Sequence, residues 1–294
     1  METIALETYA KVNLALDILG RREDGYHDMY MVMQTISLGD TLTVTVAETS
    51  AGFSLTAQGI ELPPDRKSLE QQAAEAFFDA LGRPVPGLAV RLEKRIPAYA
   101  GLGGGSADIA AVLRALRSMY CPEMPMEELE TIGAKVGSDV PFCLRGGTCL
   151  VEGRGEVLTD LPPLPKCAFV LCKPNFDLPT PALFARVDRQ DLGVRPDVDG
   201  MMAALEQGDL TGVTARLGNV FEAVLEGNEA EAVGAIKHTL LRQGALGAAM
   251  SGSGPTVFGI FPNRAAARVA CRALVERYPQ TYLAEPLKRF RKAV

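Results

Sequence analysis

The residues of this 294-residue chain best suited to chemistry run Ile96-Pro97-Ala98-Tyr99-Ala100-Gly101-Leu102-Gly103-Gly104-Gly105-Ser106-Ala107-Asp108. Glycine tolerates positive φ, so the run from Gly101 to Gly105 can turn successive backbone N–H groups inward as an anion nest. After it, Ile109, Val112, Leu113, Leu116 and Tyr120 recur on one helix face, with Ser106 at the expected N-cap and Asp108 in the first turn. A helix start adds free N–H groups and the positive end of the helix dipole. The stretch reads either as a phosphate cradle or as a flexible loop that precedes a helix. Two common phosphate motifs do not fit it. The sixth position of a dinucleotide fingerprint counted from Gly101 is Ser106, and no lysine lies between Ile96 and Arg117, so no P-loop is spelled. A lysine at such a site must come from another segment.

Other polar groups interrupt apolar surroundings. Lys11 and Asn13 lie in an otherwise apolar strand pattern. There a lysine sits on the solvent face or aims into a site, and alternation favours the solvent face. Asp139, just before Val140-Pro141-Phe142, is a turn former or a base, and turn former is the commoner role. Ser251-Gly252-Ser253-Gly254 is a second backbone nest or a tight turn between packed elements. Tyr26-His27 leaves a polar turn, and Phe176 and Phe184 flank Pro179-Thr180-Pro181. As single residues these would be sheet-edge or core positions. Together, a phosphate cradle with a separate lysine and aspartate suits phosphoryl transfer, which needs held phosphates, a nearby cation, Mg²⁺ and a carboxylate to take the acceptor's proton.

Composition sets the limits. The chain is 47% hydrophobic and 22% charged, with a net charge of −6, which argues against broad nucleic-acid or anionic-membrane surfaces. Only Leu287-Lys288-Arg289-Phe290-Arg291-Lys292 is locally basic, and it reads as a solvated terminal segment. Six cysteines without a C-x-x-C pair read as small buried apolar residues in a reducing compartment. The two histidines have no metal-ligand spacing. No signal-peptide or membrane-span pattern is present at the start, so a cytoplasmic protein is expected.

These residues need elements to hold them. Alternation from Ile4 to Leu19 reads as one strand interrupted near Lys11-Val12-Asn13, and Thr41–Val46, Phe53–Ala57 and Leu88–Arg95 read as further strands. Helices are expected over Ser68–Leu81, from Ala107, and over Met126–Val136. Val140 precedes proline and should be extended, and Phe142–Leu144 with Thr148–Val151 reads as a hairpin. The prolines of Leu161–Pro165 mark a boundary between domains at 1–160 and 161–294. Beyond it a buried strand at Cys167–Leu171 is followed by helical patterns at Pro181–Val187, Pro196–Glu206, Leu210–Leu225, Glu229–Gln243 and Arg264–Arg277, with strands at Thr256–Phe261 and Thr281–Ala284. The irregular mixture favours α+β in two domains.

The motif Pro97-x-x-x-Gly101-Leu102-Gly103-Gly104-Gly105-Ser106-Ala107-Asp108 resembles the phosphate loop of the GHMP kinases, and Ser251-Gly252-Ser253-Gly254-Pro255-Thr256 resembles their third motif. Ala10-Lys11-Val12-Asn13-Leu14 with Gly20-Arg21-Arg22-x-Asp24-Gly25-Tyr26-His27 is similar to the narrower 4-diphosphocytidyl-2-C-methyl-D-erythritol kinase family. The likeness spans the chain, through Gly137-x-Asp139-Val140-Pro141-Phe142 and Pro179-Thr180-Pro181.

It implies a two-domain α+β GHMP kinase, with an N-terminal domain like ribosomal protein S5 domain 2 and a ferredoxin-like C-terminal domain. It also implies ATP-dependent phosphorylation of the 2-hydroxyl of the cytidyl substrate in non-mevalonate isoprenoid biosynthesis. By the same resemblance, ATP would lie on Pro97, Ala98, Tyr99, Ala100, Gly101, Leu102, Gly103, Gly104, Gly105, Ser106 and Ala107, with Mg²⁺ approached by Ser106. Asp139 would match the base, and Lys11 the residue that keeps it ionised and stabilises the moving phosphoryl. Asn13 and Thr180 would contact substrate, Tyr26 and Phe184 would sandwich cytosine, and His27 would read its edge. Tyr99 and Ala107 depart from the usual small residue and second serine. The implied partner is a small molecule, not nucleic acid or membrane, and the state a monomer or weak homodimer. Another GHMP small-molecule kinase, of mevalonate or homoserine type, or a non-catalytic sensor on the same fold are the competing readings.

Overall fold

The structure is a computed structural model that describes residues 2–47, 52–59 and 67–290. Its contacts divide the chain into two compact units.

The first unit comprises Met1–Ala10, Gly39–Ala98 and Gly103–Arg145. Its sheet has the order β1-β4-β6-β5, with β1 at Thr3–Glu7, β4 at Thr41–Val46, β5 at Phe53–Gln58 and β6 at Leu88–Glu93; only β5 and β6 pair in parallel. Period-two patterning works here because one face is covered: Leu42, Val44, Leu88, Val90 and Leu92 are buried. Helix α1 (Leu69–Ala80) is capped by Ser68, whose side chain accepts from the Gln71 N–H at 3.1 Å.

Helix α2 (Gly104–Tyr120) starts earlier than the sequence suggests. Its N-cap is Gly103, in the left-handed region at φ 69°, with no side-chain cap. Ser106 therefore lies inside the first turn and caps nothing. Asp108 is not in that turn either; it points into the core. After α3 (Met126–Ala134), the segment read as an extended Val140 and a strand is helix α4 (Val140–Arg145). Pro141 falls in its first turn, where a missing N–H is no loss, and the Asp139 carbonyl accepts from the Cys143 N–H at 3.0 Å.

The second unit comprises Lys11–Leu38, Tyr99–Leu102 and Gly146–Val294. One sheet has the order β10-β2-β3-β7-β8: β2 is Lys11–Arg21, β3 His27–Thr35, β7 Thr148–Gly153, β8 Val157–Asp160 and β10 Gly218–Asn219. The single interrupted strand read from Ile4 to Leu19 is thus two strands in two sheets, broken at Thr8–Ala10 and not at Lys11–Asn13. From Lys11 to Ile18 every residue of β2 is buried, because strands flank it on both edges and both faces are covered. Lys11 accordingly sits 5% exposed, not on the solvent face.

The other sheet is antiparallel, in the order β11-β12-β9-β13, from β9 (Ala168–Cys172), β11 (Gly247–Met250), β12 (Val257–Phe261) and β13 (Thr281–Ala284). Helices α8 (Asn228–Arg242) and α9 (Arg264–Val275) pack on it. Helix α5 (Thr180–Val187) and α6 (Val198–Glu206) lie where the periodicity puts them. Leu210–Leu225 does not form one helix: α7 (Leu210–Ala215) stops, β10 follows, and Val220–Val224 is a short 3-10 turn. Asn219 diverts the chain by accepting from the Phe221 N–H at 2.9 Å. The basic tail is tethered as far as Phe290, with Lys288 and Arg289 exposed as expected. The Leu287 N–H donates to the Thr35 carbonyl at 2.9 Å, and Arg289 pairs with Asp160. Arg291 and Lys292 lie outside the described residues. All six cysteines are free, and four are buried.

Within the first unit a buried ionic trio fixes both ends of the glycine stretch. The Lys94 ammonium donates to Asp40 Oδ2 at 2.5 Å and to Asp108 Oδ2 at 2.6 Å, with its side chain 8% exposed. Asp40 also accepts from the Arg95 and Ile96 N–H groups, at the exit of β6. Burial pushes the Asp108 carboxyl up to about 8, against the pull of Lys94 and with help from Asp40. Burial opposes the Lys94 charge, but the two carboxyl groups outweigh it and hold its pKa above the usual lysine range.

Lys94→Met leaves buried acid without its cation and should cost about 3–5 kcal/mol. This would show as a lower urea midpoint at unchanged slope. Because the folded Asp108 pKa is raised, its contribution to stability is present below the ordinary value of 3.8 and lost as pH rises through about 8. Asp108→Asn should therefore gain on wild type as pH is raised from 4 to 9. A constant gap between the two proteins would contradict the assignment.

Candidate active site

Helix α2 opens without a side-chain cap, so the N–H groups of its first turn depend on a ligand or water. The helix is 17 residues long and follows Gly101 and Gly103, both at positive φ (73° and 69°). That is the backbone of an anion cradle. Tyr99 also adopts positive φ, at 50°, and is 77% exposed. Pro97 and Ala98 lead into this turn. Gly104 and Gly105 are the first two residues of α2, Ser106 follows partly exposed, and Ala107 is buried.

In the second unit, the turn Tyr99–Leu102 is locked to the turn Ser251–Gly254. A Cβ on Gly101 would stand 2.1 Å from the Ser251 carbonyl oxygen and 2.8 Å from the Gly254 nitrogen. Only glycine permits that approach. The Ser251 hydroxyl donates to the Gly101 carbonyl at 2.9 Å. Asn219 Nδ2 donates to the Met250 and Gly252 carbonyls, both at 2.8 Å, and so shapes the second turn from behind.

Lys11 belongs to this cluster. Its N–H donates to the Leu102 carbonyl at 2.9 Å, and its Nζ donates to Asn13 Oδ1 at 2.8 Å. A Cβ on Gly252 would lie 3.2 Å from that Nζ. Asn13 Nδ2 points at the Met31 sulfur, 3.1 Å away. The structure therefore brings Lys11, Asn13, Gly101, Leu102, Ser251 and Gly252 together. Asp139 is in the first unit, half-buried in the turn ahead of α4. Ser106 is near that turn, its Oγ 3.7 Å from where a Gly137 Cβ would be.

A second cluster in the same unit is aromatic. His27 and Phe184 stack, with ring centroids 4.5 Å apart and an interplanar angle of 25°, and Phe221 meets Phe184 edge-on at 5.0 Å. Tyr26 is not in that stack: the residue is 54% exposed, and its ring lies beneath the Arg154 guanidinium at 5.0 Å. The Thr180 and Ser253 hydroxyls are 2.7 Å apart, which ties α5 to the Ser251–Gly254 turn. Sequence reasoning missed Asn219, Asp188 and Lys94. Asp188 is hydrogen-bonded to His27 and stands four residues after Phe184, a helical spacing that could have flagged it. Lys94 lies two residues before the stretch searched for a lysine. Among the described residues no group of three or more His, Cys, Asp or Glu side chains is arranged to hold a metal. None of their helices is long and apolar enough to cross a membrane.

Residues 68–147 match the GHMP kinases N terminal domain, and residues 201–280 match the GHMP kinases C terminal domain. The chain is 41% identical to the 4-diphosphocytidyl-2-C-methyl-D-erythritol kinase of Lachnoclostridium phytofermentans, over 92% of each protein. It is also 41% identical to the protein of that name from Moorella thermoacetica, over 98% of this chain and 100% of the relative. A crystal structure of 4-(cytidine 5'-diphospho)-2C-methyl-D-erythritol kinase superposes with a TM-score of 0.80 at 32% identity, covering 96% of this chain and 99% of the other. The two-domain α+β kinase fold expected from the sequence holds. A glycine cradle at a helix start, a buried lysine beside it and relatives this similar over nearly the whole length agree: the chain belongs to the 4-diphosphocytidyl-2-C-methyl-D-erythritol kinase family of the GHMP kinases.

Proposed function

We propose that the chain transfers the γ-phosphoryl group of ATP to the 2-hydroxyl of 4-diphosphocytidyl-2-C-methyl-D-erythritol, a step of isoprenoid biosynthesis by the non-mevalonate route. The observation that carries the reading is the uncapped start of α2 behind a glycine turn whose backbone is bonded to the Lys11 strand. Phosphoryl transfer is catalysed largely by positioning and by charge, so a backbone cradle and one buried ammonium are suitable equipment.

Pro97 to Ala107 hold the ATP phosphates. Asp139 accepts the proton of the 2-hydroxyl as its oxygen attacks the γ-phosphorus, and ADP leaves. The Lys11 ammonium stabilises the charge on the transferring group, and Asn13, which accepts from that ammonium, contacts the substrate. Tyr26, His27 and Phe184 bind the cytosine, and Thr180 with the Ser251–Gly254 turn lines the substrate side. Mg²⁺ in kinase sites is held mainly by phosphates and water with one or two protein oxygens, and Ser106 is the side chain of this chain proposed for that contact. When bound, the ion neutralises charge on the phosphate oxygens. The enzyme acts on a small molecule in the cytoplasm, as a monomer or weak homodimer, without nucleic acid.

ADP release with the cytidyl substrate is the test. Wild type should turn over, and Asp139→Asn should lose at least about a hundredfold in kcat, the low end for a positioned base, with KM for ATP little changed. Full rate in Asp139→Asn would remove the base assignment. Turnover of mevalonate or homoserine in place of the cytidyl substrate would overturn the function.

A further inference from the structure

The aromatic cluster contains a carboxylate whose place suggests a role in choosing the base. His27 Nε2 is 2.7 Å from Asp188 Oδ1, and the other oxygen of Asp188 is 3.5 Å from the Arg21 guanidinium. Arg21 and His27 are directly paired across β2 and β3. Asp188 ends α5, its N–H donating to the Phe184 carbonyl at 3.0 Å. One helix end thus delivers both the ring on which His27 stacks and the carboxylate that holds it. The His27 hydrogen bond, with smaller pulls from Arg21 and Arg189, keeps Asp188 below the usual carboxylate range, that is, ionised.

An ionised carboxylate only accepts, so the hydrogen of this contact is on His27 Nε2. In the neutral ring, Nδ1 is then a lone-pair acceptor. The imidazole lies nearly parallel to Phe184, so its nitrogens point along the layer and not into the phenyl ring. A base lying in that layer is met at its edge. Cytosine presents an exocyclic N–H donor where a base carrying a 4-oxo group presents an acceptor. An acceptor nitrogen favours the first and repels the second.

We propose that Asp188 is a specificity-determining positioning residue. It fixes the tautomer and orientation of His27 so that Nδ1 accepts from the cytosine amino group and disfavours uracil. The proposal rests on the reading that the base binds at Tyr26, His27 and Phe184. It adds a residue that need not touch substrate, and a reason for the choice between pyrimidines.

Two measurements test it. In ¹⁵N NMR of the whole enzyme, with His238→Asn to assign the two imidazoles, His27 should be the neutral Nε2–H tautomer. In kinetics, Asp188→Asn should reduce the preference for the cytidyl substrate over its uridyl analogue about tenfold, the value of one hydrogen bond. The loss should appear in KM for the cytidyl substrate while KM for ATP stays put, and Asp188→Glu should restore part of it. An Nδ1–H tautomer or an imidazolium in wild type, or an unchanged preference in Asp188→Asn, would overturn the proposal. Phe184→Ala separates the two levels. If it raises KM for the cytidyl substrate and Asp188→Asn does not alter preference, the base site stands and the role of Asp188 falls. If Phe184→Ala leaves that KM unchanged, the base-site reading itself fails.

Discussion

At Gly101 two stretches of backbone pass closer than any side chain allows. The Ser251 carbonyl occupies the space a Cβ would need, the Ser251 hydroxyl is bonded to the Gly101 carbonyl, and Gly252 in turn leaves no room for a side chain against Gly101 and Lys11. The sequence carries two glycine turns some 150 positions apart, and the contact explains why both are needed. Each is the steric complement of the other. Asn219 holds the second turn through two carbonyls, and Lys11 holds the first through the Leu102 carbonyl. What results is a rigid piece of backbone with a buried ammonium beside it, an arrangement that needs no lysine within the glycine loop itself.

The two buried lysines illustrate two ways of keeping a charge out of water. Lys94 is neutralised by carboxyl groups and acts as a fastener, linking the exit of β6 to the body of α2 through Asp40 and Asp108. Burial raises Asp108 enough for the trio to approach neutrality near pH 7, which spares the interior an excess negative charge. Lys11 has the amide oxygen of Asn13 among its partners and lies against both glycine turns. In the function proposed here, that is where a cation meets the transferring phosphoryl group.

Much of this was legible in the sequence, for physical reasons. Strands with one covered face, such as Thr41–Val46, announce themselves by alternation, and α1 by Ser68 and its apolar face. The glycine stretch and the Ser251 turn were legible because positive φ restricts the residue type. Lys11 was misread because β2 is buried on both faces, so alternation carries no information there. Ser106 was misread as a cap because Gly103, four residues before the pattern becomes visible at Ala107, already takes the capping position with its backbone alone. The Leu210–Leu225 helix stops at Ala215, and beyond it Asn219 turns the chain by bonding both the nearby Phe221 N–H and the distant Met250 carbonyl. Asp188 and Lys94 were missed because their partners are defined by tertiary contact and not by motif.

That the Ser251–Gly254 turn buttresses the glycine turn proposed to hold ATP is tested most directly by calorimetric titration of ATP into Gly101→Ala, Gly252→Ala and the double variant, with melting curves in parallel. Each single change forces a side chain into backbone and should weaken ATP binding about tenfold or more. Because both break the same approach, the double variant should lose clearly less than the product of the two. Unchanged ATP affinity in the single variants, or losses that simply multiply, would contradict the account.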